Sequence, residues 1–422
     1  MKVVNKIRNT DVVIDAPPSK AHTLRALIIS SLSNGKCTIR NPLLGEDQRN
    51  VIECLKRLGI KIESGSNKLT VSGTNGKYTP IKNELNVGES GVGMNFLTSA
   101  ACLSNKPIVI TGAKRITERP IREVVEGLRQ LGCKIEYLEK EGFPPIKVYG
   151  GGIKGGTAQI KGSKTSQYFS SIVISSPYAE NKVTLKCADE MTEKPYFDIS
   201  LQMMAEFGAE AKNSDYKQIE IPKGKYSARE ITIEGDYSSA SFFFLAGAIC
   251  KSKVTVTGLR TDTKQGDKAF VTLMEKMGCS VSAPPSTNKG ICIQGRKLSA
   301  IEQDMSNLPD LVPPLAIACA FAKGKSRLTN IGHLRHKECD RLAVMASELV
   351  KMGAAARCDE SSLIIEGNPQ IHGSRIDPHN DHRIAMSFAV AGLVTGEQEI
   401  EDEMCVAKSF PDFWERFEIF HQ

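Results

Sequence analysis

The sequence predicts an α/β (α+β) protein of two pseudo-threefold domains, each with three repeated helix/strand units of about 70 residues. Two periodic features support this prediction. Five segments pass from an amphipathic helix through a glycine into a strand, and their glycines lie 70 to 76 residues apart. Six apolar helices alternate with these segments. Because helices that are apolar nearly all round belong inside a core, we expect two packed domains and not a solenoid.

The first helix of each unit is predicted to begin at a polar cluster and to run for about 14 residues, roughly 20 Å. Each ends at a turn signal such as Asn34-Gly35, and a β-branched strand such as "PIVITG" or "KVTVTG" follows. The boundary between the domains is expected near Gly235-Asp236, after the third unit. The six helices are "SKAHTLRALIIS", "ESGVGMNFLTSA", "TSQYFSSIVISS", "DYSSASFFFLAG", "PDLVPPLAIACA" and "NDHRIAMSFAVA".

The second helix of each unit is predicted to end at a glycine, which tolerates the left-handed dihedrals found just past a helix C-terminus. These glycines are Gly59, Gly132, Gly208, Gly278 and Gly353, in segments such as "LKRLGIKI" and "LVKMGAAA". In the sixth unit the second helix is expected within "FPDFWERFEIF", residues 410–420.

The composition excludes several classes of protein. The apolar runs are far too short to span a membrane, and the N-terminal segment alternates like a strand, so no leader peptide is expected. The net charge of +7 is modest and its cations form no runs, which argues against a nucleic-acid groove. Twelve scattered cysteines without a Cys-x-x-Cys pair predict free buried thiols in a reducing compartment, the cytoplasm.

Cations stand at the predicted helix N-termini. The first two turns of the first helix contain Lys20, His22 and Arg25, although the helix dipole favours acidic residues there. In a symmetric bundle the N-termini of equivalent helices gather at one face and offer free backbone N–H groups. We therefore predict a binding site for small anions.

Two motifs in the second half carry further charged groups. "HKECDRL" is predicted to place Lys337 and Arg341 on one helix face with Glu338 beside them. "PHNDHRIAM" places His382 and Arg383 at a helix start. Taken singly, these groups would be a solvated face and a cap. The repeat changes this interpretation, because the motifs fall at corresponding places.

Other motifs occupy equivalent positions. Arg119 precedes Pro120, which is predicted to be the first residue of a helix with Arg119 at its cap, and Lys408 precedes Pro411 in the same way. Thr165, Ser166 and Gln167, and separately Asp310, stand at further predicted N-termini, where each could be only a cap. His379 and His382 lack a third metal ligand at suitable spacing, and no phosphate-binding P-loop is present.

The chain resembles the 5-enolpyruvylshikimate-3-phosphate (EPSP) synthase family, also called 3-phosphoshikimate 1-carboxyvinyltransferase. The resemblance covers the whole chain, and its motifs are "SKAHTLRA", "ERPI", "TSQ", "EKPY", "EGDYSSAS", "LPD", "KECDRL", "NDHRIAM" and "AKSFPDF". It implies the inverted-barrel fold of enolpyruvyl transferases. Residues 1–18 with 237–422, the N-terminal strand and units four to six, would form the first domain. Residues 19–236 would form the second, with the active site in the cleft between them.

The resemblance also implies the chemistry. The 5-hydroxyl of shikimate 3-phosphate would add to C2 of phosphoenolpyruvate as C3 is protonated, and the resulting ketal would lose phosphate. No metal or cofactor and no nucleic-acid or membrane partner is implied, and we expect a monomer. The catalytic residues implied are Lys20, Asp310, Glu338 and His382. The phosphoenolpyruvate contacts implied are Lys20, Gly91, Arg119, Gln167, Arg341, Arg383 and Lys408. The shikimate 3-phosphate contacts implied are Lys20, Ala21, Arg25, Thr165, Ser166, Gln167, Tyr196, Asp310, His333 and Lys337.

Several residues depart from the family pattern, and two alternatives remain open. Glu193 stands where a serine commonly meets the substrate phosphate, and Glu89 adds negative charge beside a helix start. One alternative is the sister family, UDP-N-acetylglucosamine enolpyruvyl transferase, although its loop cysteine is missing from "KRITERP". The other is an anion-binding homologue without catalysis. The remaining departures are Ala21, Val92, Asn95 and His333.

Overall fold

A computed structural model describes residues 1–8, 11–282, 290–368 and 370–422. These residues fall into two units: unit 1 is Met1–Pro17 with Glu234–Gln422, and unit 2 is Pro18–Ile233. Each unit buries a hydrophobic core of its own.

Short strands and longer helices alternate along both units. In chain order the strands are β1 (Lys2–Val4), β2 (Val12–Asp15), β3 (Lys36–Arg40), β4 (Ile62–Gly65), β5 (Lys68–Ser72), β6 (Glu84–Asn86), β7 (Ile108–Thr111), β8 (Ile135–Tyr137), β9 (Ile146–Val148), β10 (Gly156–Ile160), β11 (Val183–Cys187), β12 (Lys212–Ser214), β13 (Gln218–Ile221), β14 (Glu230–Thr232), β15 (Lys253–Thr257), β16 (Ser280–Ser282), β17 (Ile291–Gln294), β18 (Glu302–Asp304), β19 (Lys325–Thr329), β20 (Ala355–Cys358), β21 (Leu363–Glu366), β22 (Arg375–Ile376) and β23 (Gln398–Ile400). The α-helices are α1 (Lys20–Leu32), α2 (Glu46–Arg57), α3 (Gly91–Ala101), α4 (Lys114–Thr117), α5 (Arg122–Gln130), α6 (Gln167–Ser175), α7 (Lys194–Glu206), α8 (Tyr237–Ile249), α9 (Ala269–Lys276), α10 (Val312–Ala320), α11 (Arg341–Lys351), α12 (His382–Thr395) and α13 (Phe413–Phe417).

The sheets of unit 2 repeat one topology. Their strand orders are β14-β3-β5-β4, β6-β7-β9-β8 and β10-β11-β13-β12. The first pair in each sheet is parallel and the other two pairs are antiparallel, as in β6–β7 and β7–β9. The predicted repeat of helix, strand, loop, helix and strand is therefore confirmed but incomplete. The prediction omitted a short strand before the first helix and one strand of the closing hairpin.

Unit 1 follows the same topology in two sheets, β2-β15-β17-β16 and β18-β19-β21-β20, and departs from it in the third. There β22 and β23 pair in parallel, and β1 joins β23 antiparallel with Lys2 opposite Ile400. The predicted second helix of the sixth unit is shorter than expected, since α13 covers only Phe413–Phe417 within residues 410–420. The N-terminal strand thus takes the place that a hairpin occupies in the other repeats.

The first helices form the centre of each unit, as predicted from their apolar sequences. In unit 2, α1, α3 and α6 contact one another, and α8, α10 and α12 do so in unit 1. Every residue of α8 is buried. The predicted length of 14 residues is reached by α12, whereas α6 and α10 have nine residues each.

The glycines predicted to end the second helices all adopt positive φ, from +87° to +107°. Gly59 shows why another residue would not fit, because a Cβ there would lie 2.4 Å from the carbonyl oxygen of Thr79. The twelve cysteines are free thiols, most of them buried. Over the described ranges, no helix is long and apolar enough to cross a membrane.

Candidate active site

The start of α1 places a lysine against a buried carboxylate. Ser19 caps the helix, its hydroxyl accepting from the backbone N–H of His22. The Lys20 ammonium lies 2.6 Å from Oδ2 of Asp47, a residue in the first turn of α2 that is only 2% exposed. Sequence reasoning missed Asp47, because an acidic residue in the first turn of a helix already has a local explanation in the helix dipole.

Arg25 is a buried cation held by neutral oxygens. It is 2% exposed, and its guanidinium donates to the carbonyls of Tyr196 and Ala21 and to the Ser200 hydroxyl, at 2.7, 3.0 and 2.8 Å. Burial lowers the pKa of Arg25 to about 10. No carboxylate of the described residues pairs with it. Three predicted contacts, Ala21, Arg25 and Tyr196, are thereby brought together around an uncompensated positive charge.

A second cation lies over the N-terminus of α3. The Arg119 guanidinium packs against Gly91, where a Cβ would come within 2.6 Å of Nη1. It donates no hydrogen bond to any residue that the structure describes, so its donors are available to a ligand. The predicted cap is wrong, because α5 begins at Arg122 and Pro120 precedes it by two residues. Arg119 belongs to the loop before α5.

The α6 N-terminus is linked to a buried glutamate. Thr165 Oγ1 donates to Glu193 Oε2 at 2.5 Å, and Ser166 Oγ donates to the Glu193 carbonyl at 3.0 Å. Ser166 holds the N-cap position, but its side chain makes no capping bond. Glu193 is 2% exposed, adopts a left-handed φ of +58° and precedes α7. A carboxylate thus lies among the residues predicted to meet the substrate phosphate.

In unit 1, Arg341 joins three carboxylates. It is 1% exposed, and its Nε lies 2.8 Å from Asp381 Oδ2. Its Nη2 lies 2.9 Å from Glu338 Oε2, and its Nη1 lies 3.3 Å from Asp310 Oδ1. Burial alone would lower the pKa of Arg341, but Asp381, Glu338 and Asp310 together raise it above its ordinary value.

Two more cations complete this network. Arg383 Nη2 lies 2.7 Å from Asp310 Oδ2, and its Nη1 donates to the Ser238 hydroxyl at 2.6 Å. Lys408 Nζ lies 3.4 Å from Glu338 Oε1. We call Asp310, Glu338, Arg341, Asp381, Arg383 and Lys408 the unit 1 network. It brings together five predicted site residues and one that was missed, Asp381.

The start of α12 and the 3₁₀ turn before α10 position part of the network. The α12 N-cap is Asp381, whose Oδ1 accepts from the Arg383 N–H, and His382 is the first helical residue, as predicted. Asp310 lies in the 3₁₀ turn Pro309–Leu311 that leads into α10. Asp381 was missed because an N-cap explains an aspartate there without any pairing to a distant arginine.

Two predictions for this region are wrong. Lys337 and Arg341 do not share a helix face, because Lys337 ends the 3₁₀ turn Gly332–His336 while α11 begins only at Arg341. Lys408 does not precede a proline-started helix either. It ends the 3₁₀ segment Glu403–Lys408, and α13 begins at Phe413, two residues after Pro411. His333 and Lys337 are both buried.

The chemistry of these groups is that of anion binding and proton transfer. Guanidinium and ammonium groups at helix N-termini bind phosphate and carboxylate. Paired carboxylates that share cations can give and take a proton. Within the described ranges, no group of three His, Cys, Asp or Glu side chains is arranged to hold a metal ion.

The repeated fold and its cation-rich helix starts define a protein that binds small anions. Residues 4–417 match the family model of EPSP synthase (3-phosphoshikimate 1-carboxyvinyltransferase), and the chain belongs to that family. Enzymes of the family transfer the enolpyruvyl group of phosphoenolpyruvate to shikimate 3-phosphate in the shikimate pathway.

Similar proteins cover nearly the whole chain. The 3-phosphoshikimate 1-carboxyvinyltransferase of Methanoculleus marisnigri is 40% identical over 98% of this chain and 97% of its own length. The 3-phosphoshikimate 1-carboxyvinyltransferase of Vibrio cholerae is 37% identical over 96% of this chain and 95% of its own length. A solved structure, EPSP synthase from Acinetobacter baumannii, is 27% identical, with a TM-score of 0.82 over 98% of this chain and 96% of that one.

Proposed function

We propose that this chain transfers the enolpyruvyl group of phosphoenolpyruvate to the 5-hydroxyl of shikimate 3-phosphate and releases phosphate. The observation that carries the proposal is the unit 1 network, in which Asp310 and Glu338 share the cations Arg341, Arg383 and Lys408. We further propose a cytoplasmic enzyme, where phosphorylated metabolites are available, and a monomer, because one chain supplies every proposed site residue.

Each substrate is assigned to groups whose chemistry suits it. Phosphoenolpyruvate carries a phosphate and a carboxylate, for which Arg is well suited because of its bidentate donors. Its proposed contacts are Lys20, Gly91, Arg119, Gln167, Arg341, Arg383 and Lys408. The proposed contacts of shikimate 3-phosphate are Lys20, Ala21, Arg25, Thr165, Ser166, Gln167, Tyr196, Asp310, His333 and Lys337. The uncompensated charge of buried Arg25 supports a phosphate in its neighbourhood.

The reaction needs one proton acceptor and one donor in each half. In the first half the 5-hydroxyl loses its proton as its oxygen bonds to C2, and C3 gains a proton. In the second, the bond from C2 to the phosphate oxygen breaks and the leaving phosphate takes up a proton, while C3 gives up a proton and the double bond re-forms. We assign the two proton transfers to Asp310 and Glu338, with His382 beside them on α12. Lys20 stabilises the negative charge that develops.

Phosphate release on mixing both substrates tests the proposal directly. We expect release with shikimate 3-phosphate as acceptor and none with UDP-N-acetylglucosamine. Release with UDP-N-acetylglucosamine as acceptor, and none with shikimate 3-phosphate, would assign the chain to the sister reaction. Tight binding of both substrates without release would identify an anion-binding homologue.

Glu193→Ser is expected to tighten the binding of shikimate 3-phosphate roughly tenfold, a difference of about 1.4 kcal/mol. The buried Glu193 carboxylate accepts a hydrogen bond from the Thr165 hydroxyl and repels a phosphate placed there. Titration calorimetry measures the change. The matched control is Glu190→Ser, whose glutamate side chain is 80% exposed and pairs with Lys194. Unchanged or weaker binding in Glu193→Ser, with an unaffected control, would show that the carboxylate does not oppose the phosphate.

A further inference from the structure

Asn95 joins the first helix of one repeat to that of the next. It lies in α3 and is only 5% exposed. Its Nδ2 lies 3.0 Å from the carbonyl oxygen of Gly91 and 3.1 Å from Oε1 of Gln167 at the start of α6. Gln167 is a proposed contact of both substrates.

The backbone fixes the orientation of the Asn95 amide. A peptide carbonyl can only accept a hydrogen bond, so the Asn95 atom that faces the Gly91 carbonyl must be the NH₂ nitrogen. The same nitrogen faces one terminal atom of Gln167, which must then be an acceptor, the oxygen Oε1. The NH₂ group of Gln167 is therefore turned away from Asn95.

This orientation leaves one atom of Asn95 unsatisfied. The Asn95 Oδ1 is buried and has no hydrogen-bond partner among the described residues. Such an atom destabilises the fold. Rotating the amide by 180° would not help, because it would set the Asn95 oxygen against the Gly91 carbonyl. The donor side of Asn95 is thus the side in use.

The hydrogen bond from Asn95 decides which polar group of the Gln167 side chain is available to a ligand. Its NH₂ group bonds to none of the described residues, whereas its oxygen is occupied. Phosphate and carboxylate groups are acceptors, so only the NH₂ of Gln167 can bond to them. We propose that Asn95 is a positioning residue that holds Gln167 with its NH₂ toward the anionic substrates. The inference rests on the proposed function, which makes Gln167 a substrate contact.

Two substitutions test whether Asn95 orients Gln167. Asn95→Asp keeps the shape but replaces the donor by an oxygen, which reverses Gln167, so the KM of the affected substrate is expected to rise about tenfold or more. Asn95→Leu removes the donor without adding charge and leaves Gln167 free to adopt either orientation. If half of the molecules are then competent, KM rises about twofold. We expect kcat to change less than KM in both variants, measured by phosphate release.

The control is the same pair of substitutions in a Gln167→Ala background, where Asn95 has nothing to orient. We expect Asn95→Leu to have no effect there, and Asn95→Asp to keep only its charge effect. Equal effects with and without Gln167 would overturn the inference while leaving the proposed function intact. If Gln167→Ala alone leaves the KM of both substrates unchanged, the proposed site itself is wrong. Should Asn95→Asp fail to fold, the comparison of Asn95→Leu in the two backgrounds still decides.

Discussion

Glu338→Gln is expected to lower turnover about 100-fold or more, the usual contribution of a positioned acid or base. The substitution keeps the size of the side chain but removes the group that can exchange a proton. Glu338 pairs with Arg341 and Lys408, so its charge is held in one place by two cations. Asp310→Asn is expected to have an effect of similar size. Steady-state phosphate release at saturating substrates measures both.

A control substitution at a buried carboxylate outside the unit 1 network distinguishes a loss of catalysis from the general effect of removing a charge. Glu348 is 1% exposed and pairs with Lys351 on α11. Glu348→Gln is therefore expected to keep turnover within a few-fold of the unaltered protein. If Glu338→Gln and Asp310→Asn retain near-normal turnover, these residues do not transfer the protons.

Arg341→Met is expected to lower the free energy of unfolding by about 3–5 kcal/mol, the usual cost of breaking a buried ion pair. The methionine fills much of the same space, but Asp310, Glu338 and Asp381 then lose their shared cation. Urea denaturation of the full chain measures the loss.

The matched control for this prediction is Arg375→Met. Arg375 pairs with Glu401, but its side chain is 67% exposed, and an exposed pair contributes about 0–1 kcal/mol. Equal losses in the two variants would mean that Arg341 acts as an ordinary surface cation. That result would remove the electrostatic basis of the unit 1 network.

Much of the fold could be predicted because its repeat leaves local signals. A glycine such as Gly132 must follow each second helix, since the chain adopts positive φ there. An all-apolar helix such as α8 must be buried, and it is. Short strands before the first helices, such as β6, were missed because three residues are too few to show alternation. The pairing of β1 with β23 joins residues about 400 positions apart, and no local pattern encodes it.

The site was predicted mainly from motifs, and the misses have a common cause. Asp47 and Asp381 sit where helices favour an acidic residue, so nothing in the sequence distinguished a cap from the partner of a cation. The Lys337 face was predicted wrongly because the chain is extended at Lys337, between the 3₁₀ turn Gly332–His336 and α11, and no glycine or proline in "HKECDRL" signals that break. The bonds from Thr165 and Ser166 to Glu193 depend on tertiary contact alone.

The sheet that holds β1 imposes an order on folding. Unit 2 is one continuous stretch of chain, whereas unit 1 needs β23, at Gln398–Ile400, before Lys2–Val4 can find its partner. A ribosome adding 5–20 residues per second takes about 10–40 s to make residues 234–422. Until residues 382–395 are made, the apolar α8 lacks its neighbour α12, whereas all of unit 2 has already been synthesised. We therefore expect unit 2 to fold first and unit 1 to complete its core only when synthesis is nearly finished.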